Sequence, residues 1–152
     1  MNAIELLKND HQEASSLMEQ IELADKGDRS AKELFTQLKQ ALTLHTQVEE
    51  QVFYPALKSF EETKDMVPEA LEEHQEVDDL LAEMTALSPG NDEFMDKFTE
   101  LRDAVEHHVE EEENEMFPKA EKALGESRLQ EMGRQMQQMK EGKSATATNK
   151  RK

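Results

Sequence analysis

Apolar positions recur along this chain at spacings of three and four, the period of a helix that turns one face to a core. A first stripe holds Ile4, Leu7, Ala14, Leu17, Met18 and Ile21 and predicts a helix from about Ala3 to Ala24, ended by Gly27 and Asp28. A second stripe carries Leu34, Leu38, Ala41, Leu42, Val48 and Val52, with Ser30 as its expected N-cap, and then meets Pro55. The third has Pro68 in its first turn and runs through Leu71, Val77, Leu81 and Met84. After a Ser88-Pro89-Gly90-Asn91-Asp92 turn, the fourth carries Phe94, Phe98, Leu101 and Val105 toward Pro118. Proline lacks an N–H and clashes with the preceding turn, so helices two and four are expected to kink or break near Pro55 and Pro118. A shorter fifth helix, from Ser127 to about Met139, is expected to lay Leu129, Met132, Met136 and Met139 loosely on the others.

Polar residues interrupt these stripes at positions that periodicity assigns to the core. His11 lies in the first, His45 and Glu49 in the second, His74 in the third, and His108 and Glu112 in the fourth. The set His11 with His45-Thr-Gln-Val-Glu49 maps onto His74 with His108-Val-Glu-Glu-Glu112 by one shift of 63 positions. Four of the five histidines obey it. The same shift, without gaps, carries Leu17 onto Leu80, Phe35 onto Phe98, Ala41 onto Ala104, Glu50 onto Glu113 and Pro55 onto Pro118. A unit this long is a supersecondary element used twice, here a helix pair.

Residues four apart on a helix lie one above the other, so each His-x-x-x-Glu points a nitrogen and a carboxylate at one place. A buried glutamate is costly unless paired or bound to metal. One core histidine is more often structural than a ligand; four, with two carboxylates and an internal repeat, reverse those odds. Imidazole and carboxylate hold first-row metals such as iron, manganese and zinc. Two copies of the trio suggest two metals. Without metal, the facing carboxylates are expected to raise one another's pKa.

At 152 residues the chain fits one domain with a real core. Its 36% hydrophobic and 35% charged content, with five glycines and four prolines, is a helical composition. The absence of cysteine excludes disulfides and thiolate ligands. No apolar run approaches membrane-spanning length and the N-terminus lacks a signal-peptide pattern, so a cytoplasmic chain without a membrane partner is expected. A net charge of −17 argues against nucleic acid as a partner. Residues 140–152 reverse that sign, with Lys140, Lys143, Lys150, Arg151 and Lys152 against Glu141, and read as a disordered basic tail.

A histidine followed by His-x-x-x-Glu, and the same again on four helices, resembles the hemerythrin-like, HHE cation-binding domain, over about residues 4–120. The resemblance implies an all-α, up-down antiparallel four-helix bundle built from two repeated helix pairs. Residues 1–125 would form the bundle, 126–139 the appended helix and 140–152 the tail. It further implies two iron ions in a non-haem di-iron centre with an oxo or hydroxo bridge. His11, His74, His45 and His108 would be terminal ligands, and Glu49 and Glu112 bridges. A ferritin-like site would instead need Glu-x-x-His on two helices.

The chain departs from the oxygen-carrying hemerythrins, which resemble it except for a fifth histidine one turn along helix three. Here Asp78 stands there, with Ser15 as its repeat mate. The pattern is closer to iron-centre-repair and iron-sensing relatives, and Asp78 is open to three roles: ligand, partner of a ligand, or bystander beside water. His107, about 100° off the ligand face, is expected to face solvent. Tyr54 points opposite His45 on an ideal helix, which argues against a ligand role. Glu115 returns to the metal face, as partner of a ligand or as surface. The methionines read as packing rather than a copper site. Three functions remain: a di-iron protein that binds, reduces or senses oxygen, nitric oxide or peroxide; a non-enzymatic iron-handling module; and a structural module holding zinc.

Overall fold

Asn2 starts the first helix with a reciprocal cap. Its side chain accepts the Glu5 amide at 2.9 Å, while the Glu5 carboxylate accepts the Asn2 amide at 3.0 Å, satisfying two donors that a helix start leaves orphaned. The computed structural model describes residues 1–24 and 29–150, and among these all regular structure is helical. The long elements are α1 (Ala3–Leu23), α2 (Arg29–Val48), α4 (Met66–Thr85) and α5 (Asp92–Glu111), with short α3 (Tyr54–Leu57) and α6 (Phe117–Leu124) extending α2 and α5. Helix α7 (Glu126–Lys150) follows Gly125, whose φ of 81° is the left-handed turn that ends α6. Helix α1 packs along α2 and α4 along α5, completing the expected four-helix bundle. The expected stop at Gly27 and Asp28 lies outside the described residues, and α2 starts at Arg29, one residue before the expected Ser30 cap. No helix among the described residues is long and apolar enough to cross a membrane.

Helices two and four do not break at their prolines. Each widens into one π-helical turn, Glu49–Phe53 and Glu112–Met116, and runs on. Tyr54 donates to the Glu49 carbonyl and Phe117 to the Glu112 carbonyl, five residues back. The extra residue in the ladder takes up the strain that a ring at Pro55 or Pro118 would impose on a tighter turn. Both π turns obey the 63-residue repeat. Their consequence is rotational: past them, every side chain lies about 100° from where an unbroken α-helix would put it.

Two apolar cores are stacked with the polar layer between them. One holds Ile4, Leu7, Phe53, Leu57, Val67 and Phe117, the other Leu17, Ile21, Phe35, Leu38, Met84 and Phe98. Helix α7 closes the first. Its Leu129 and Met136 are fully buried, and a Cβ on Gly133 would lie 2.4 Å from the Met1 carbonyl. That approach is tight, where a loose one was expected. The helix also passes the expected end at Met139 and continues to Lys150 through the segment read as a disordered tail; residues 151 and 152 lie outside the described ones. Lys140 gives this extension an anchor, an ion pair with Asp10 of α1.

Candidate metal centre

Six buried side chains from four helical segments meet in the polar layer: His11, His45, Glu49, His74, His108 and Glu112. They are the six that the doubled motif picks out. Each imidazole turns Nε2 inward. His45 and His74 place it 3.1 and 3.0 Å from the same oxygen, Oε1 of Glu49. Glu112 spans the layer, with Oε1 3.1 Å from His11 and Oε2 3.4 Å from His108. Two overlapping groups result, His11 with His45, Glu49 and Glu112, and Glu49 with His74 and His108, each with its ligand atoms within 4.8 Å of one another. Ligands about 2.1 Å from a first-row ion sit roughly 3.0–3.4 Å apart. The observed separations fit.

Two atoms here lack hydrogen-bond partners, Nε2 of His45 and Oε2 of Glu49. The 3.1 Å approach of that nitrogen to Glu49 is an ionic contact without hydrogen-bond alignment. Orphaned buried polar atoms are expensive, and a cation that accepts both lone pairs removes the cost.

Every outward nitrogen has a carboxylate. Nδ1 of His11 meets Glu113 at 2.7 Å, that of His45 meets Asp10 at 2.9 Å, that of His74 meets Glu50 at 2.7 Å, and that of His108 meets Glu73 at 2.6 Å. This holds a proton on Nδ1 and leaves Nε2 basic and aimed inward, the arrangement that orients metal-binding imidazoles. The four carboxylates form two repeat pairs, Glu50 with Glu113 and Asp10 with Glu73. The first pair was visible in the repeat. The second, immediately before each lone histidine, carries the same signal less plainly, because its members are an aspartate and a glutamate rather than identical residues.

In the metal-free protein, protons do part of a cation's work. Burial opposes the charged imidazole of His45, but Glu49 and Asp10 outweigh it and hold the group up at about 10. Burial is likewise overcome at His74 by Glu49 and at His108 by Glu112, and both rise. For Glu49 burial favours the neutral acid, yet His45 and the hydrogen bonds around it hold the carboxyl well below its ordinary range. The expectation that facing carboxylates raise one another therefore fails for Glu49. The charged His45 imidazole, 3.1 Å away, and those hydrogen bonds together outweigh burial there.

Tyr54 also belongs to the layer, against the sequence expectation. Its hydroxyl donates to Glu112 Oε2 at 2.6 Å and lies 3.2 and 3.4 Å from Nε2 of His74 and His108. Burial, then Glu49 and Glu112, push its pKa far up. The π turn is the cause: one inserted residue brings Tyr54 from the far side of the helix to the inner face. Its repeat mate is Phe117, which stacks on His11 with ring centroids 5.9 Å apart and planes 3° apart. One half of the site has a hydroxyl where the other has only a ring edge. The same rotation moves Glu115 off the inner face, so it is exposed while Met116 is buried.

Asp78 is exposed and belongs to neither ligand group, and partial burial and then Glu50 raise its carboxyl above the ordinary range. His107 faces solvent as expected, with 63% of its side chain exposed.

Comparison with known proteins agrees with this architecture. The hemerythrin HHE cation binding domain matches residues 2–120. The chain is 32% identical over 117 residues to a DNA nickase of Nostoc sp., covering 77% of this chain and 33% of that protein. It is 30% identical over 119 residues to an uncharacterized hemerythrin-like protein of Schizosaccharomyces pombe, covering 77% of this chain and 58% of the other. The chain thus spans only a third to somewhat over half of these relatives. A crystal structure of an HHE cation binding domain-containing protein from Mycobacterium kansasii superposes with a TM-score of 0.86 at 25% identity, over 99% of this chain and 93% of that one.

Proposed function

Because this chain belongs to the hemerythrin HHE cation binding domain family, we propose that its buried layer binds two iron ions and that the pair binds, reduces or senses oxygen, nitric oxide or peroxide. The observation that carries the metal assignment is the pair of overlapping ligand groups sharing Glu49, with two of their atoms otherwise unsatisfied. In this reading His11 and His45 would hold one ion and His74 and His108 the other, with Glu49 and Glu112 as the carboxylates between them. The Tyr54 hydroxyl lies on the His74 and His108 side of the layer. When bound, an iron pair supplies electrons, or open positions, to a small ligand.

The chain's own residues determine which ligand that is. The outer carboxylates lock each imidazole, and Phe117 shields the His11 half from water. A cavity beside the histidines is lined by Ala14, Leu42, Thr46, Val77, Val105 and Val109 and has room for about one water-sized molecule. Such a space suits a small uncharged ligand and excludes a bulky substrate. Strand cleavage is not carried over from the nickase: the match spans 33% of that protein, and a net charge of −17 opposes a phosphate backbone.

Anaerobic loading with ferrous iron, followed by metal analysis, tests the count, with at least two ions per chain expected. Saturation at one would refute the doubled site. Optical spectra before and after oxygen, peroxide or nitric oxide test the reactivity. Two bound ions with no spectral response to any of the three would favour the iron-handling alternative, and zinc as the metal found on purification would favour the structural one.

A further inference from the structure

The two halves of the bundle treat equivalent carboxylates differently. Asp10 on α1 and Glu73 on α4 are repeat mates, and each puts one oxygen on Nδ1 of an inner histidine. The second oxygen of Asp10 meets the ammonium of Lys140, delivered by α7. Among the described residues, the second oxygen of Glu73 meets no such cation. It lies 3.5 Å from Nε2 of His107, and that nitrogen is 3.2 Å from Oε1 of Glu111. The mates of His107 and Glu111 are Leu44 and Val48, which pack into the apolar core under α7. One half fills this place with a lysine. The other presents an imidazole and two carboxylates, and their ligand atoms lie within 4.8 Å of one another.

We propose that Glu73, His107 and Glu111 form a third, surface site for a divalent first-row metal ion, which captures iron on its way to the buried layer. A mixed imidazole–carboxylate set favours such ions over magnesium or calcium, which prefer oxygen alone. Separations of 3.2 and 3.5 Å suit ligands about 2.1 Å from one ion. The position suits capture as well. A cleft lined by Glu69, Glu73, Glu111 and Glu115 leads from this surface to His108 and Glu112 at its inner end. Acidic walls concentrate cations within a cleft. Binding of the third ion stands on this triad alone, while the capture role rests on the two-metal reading of the buried layer.

Equilibrium dialysis against Zn²⁺ and anaerobic stopped-flow loading with Fe²⁺, on the wild-type chain and on His107→Ala and Glu111→Ala, test the proposal. Both residues reach the surface, so both variants should fold. Three zinc ions are expected in the wild type and two in each variant, with iron filling the buried layer at least several-fold more slowly in the variants. Two ions in all three proteins, a third ion kept in both variants, or an unchanged filling rate would overturn it. The two readings fail differently: the buried layer is judged by the count in His107→Ala, the surface site by the difference between wild type and variant.

Discussion

Replacing Tyr54 by phenylalanine removes one oxygen atom and leaves the ring where it packs. The residue is 1% exposed, so no solvent replaces the lost hydroxyl. What disappears is the 2.6 Å hydrogen bond to Glu112, together with the longer contacts to His74 and His108. A buried hydrogen bond to a carboxylate contributes about 1.5–3 kcal/mol. Glu112 Oε2 keeps His108 at 3.4 Å, which places the expected loss for the metal-free protein toward the lower end, about 1.5–2 kcal/mol. For a chain of this size each kcal/mol moves the melting temperature by about 2–4 °C, so Tyr54→Phe should melt roughly 3–8 °C lower. Thermal unfolding of the metal-free proteins by circular dichroism measures this. An unchanged melting temperature would refute the placement of Tyr54 in the site.

Glu112→Ala should lose at least one metal while staying helical, whereas Glu111→Ala should keep both buried ions; metal analysis with circular dichroism decides, and the opposite pattern would break the repeat's register. The metal-free protein should lose stability on the alkaline side. A raised His45 pKa stabilises the fold fully below the unfolded value of 6.5, and that contribution vanishes as pH climbs toward about 10. At the acid end the depressed Glu49 acts the other way, its contribution lost as pH falls below 4.5. Melting curves should therefore peak between about pH 5 and 6.5; a profile rising steadily to pH 10 would contradict this. Gly133→Ala puts a methyl group 2.4 Å from the Met1 carbonyl and should cost about 1–3 kcal/mol by forcing α7 off the start of α1. Hydrogen exchange along α7, faster in the variant, would register it.

The sequence by itself determined the bundle and the six inner residues, because both follow from a period. Core-facing positions repeat every three or four residues on any helix, so His45 with Glu49 and His108 with Glu112 had to share a face whatever the helices packed against. The 63-residue repeat then set both halves in the same frame. The places of Tyr54 and Glu115, and the tight docking and full length of α7, were decided only by the tertiary structure. A π turn arises from a compromise between a proline ring and continued packing, and it rotates everything after it; no count along an ideal helix contains that step. The docking of α7 depends on a glycine meeting a backbone far away in the sequence, and Lys140 reaches Asp10 only because of it. Local spacing reports which side chains share a face. Which faces meet is settled by contacts between segments, and which carboxylate receives a cation by one between residues 130 apart in the sequence.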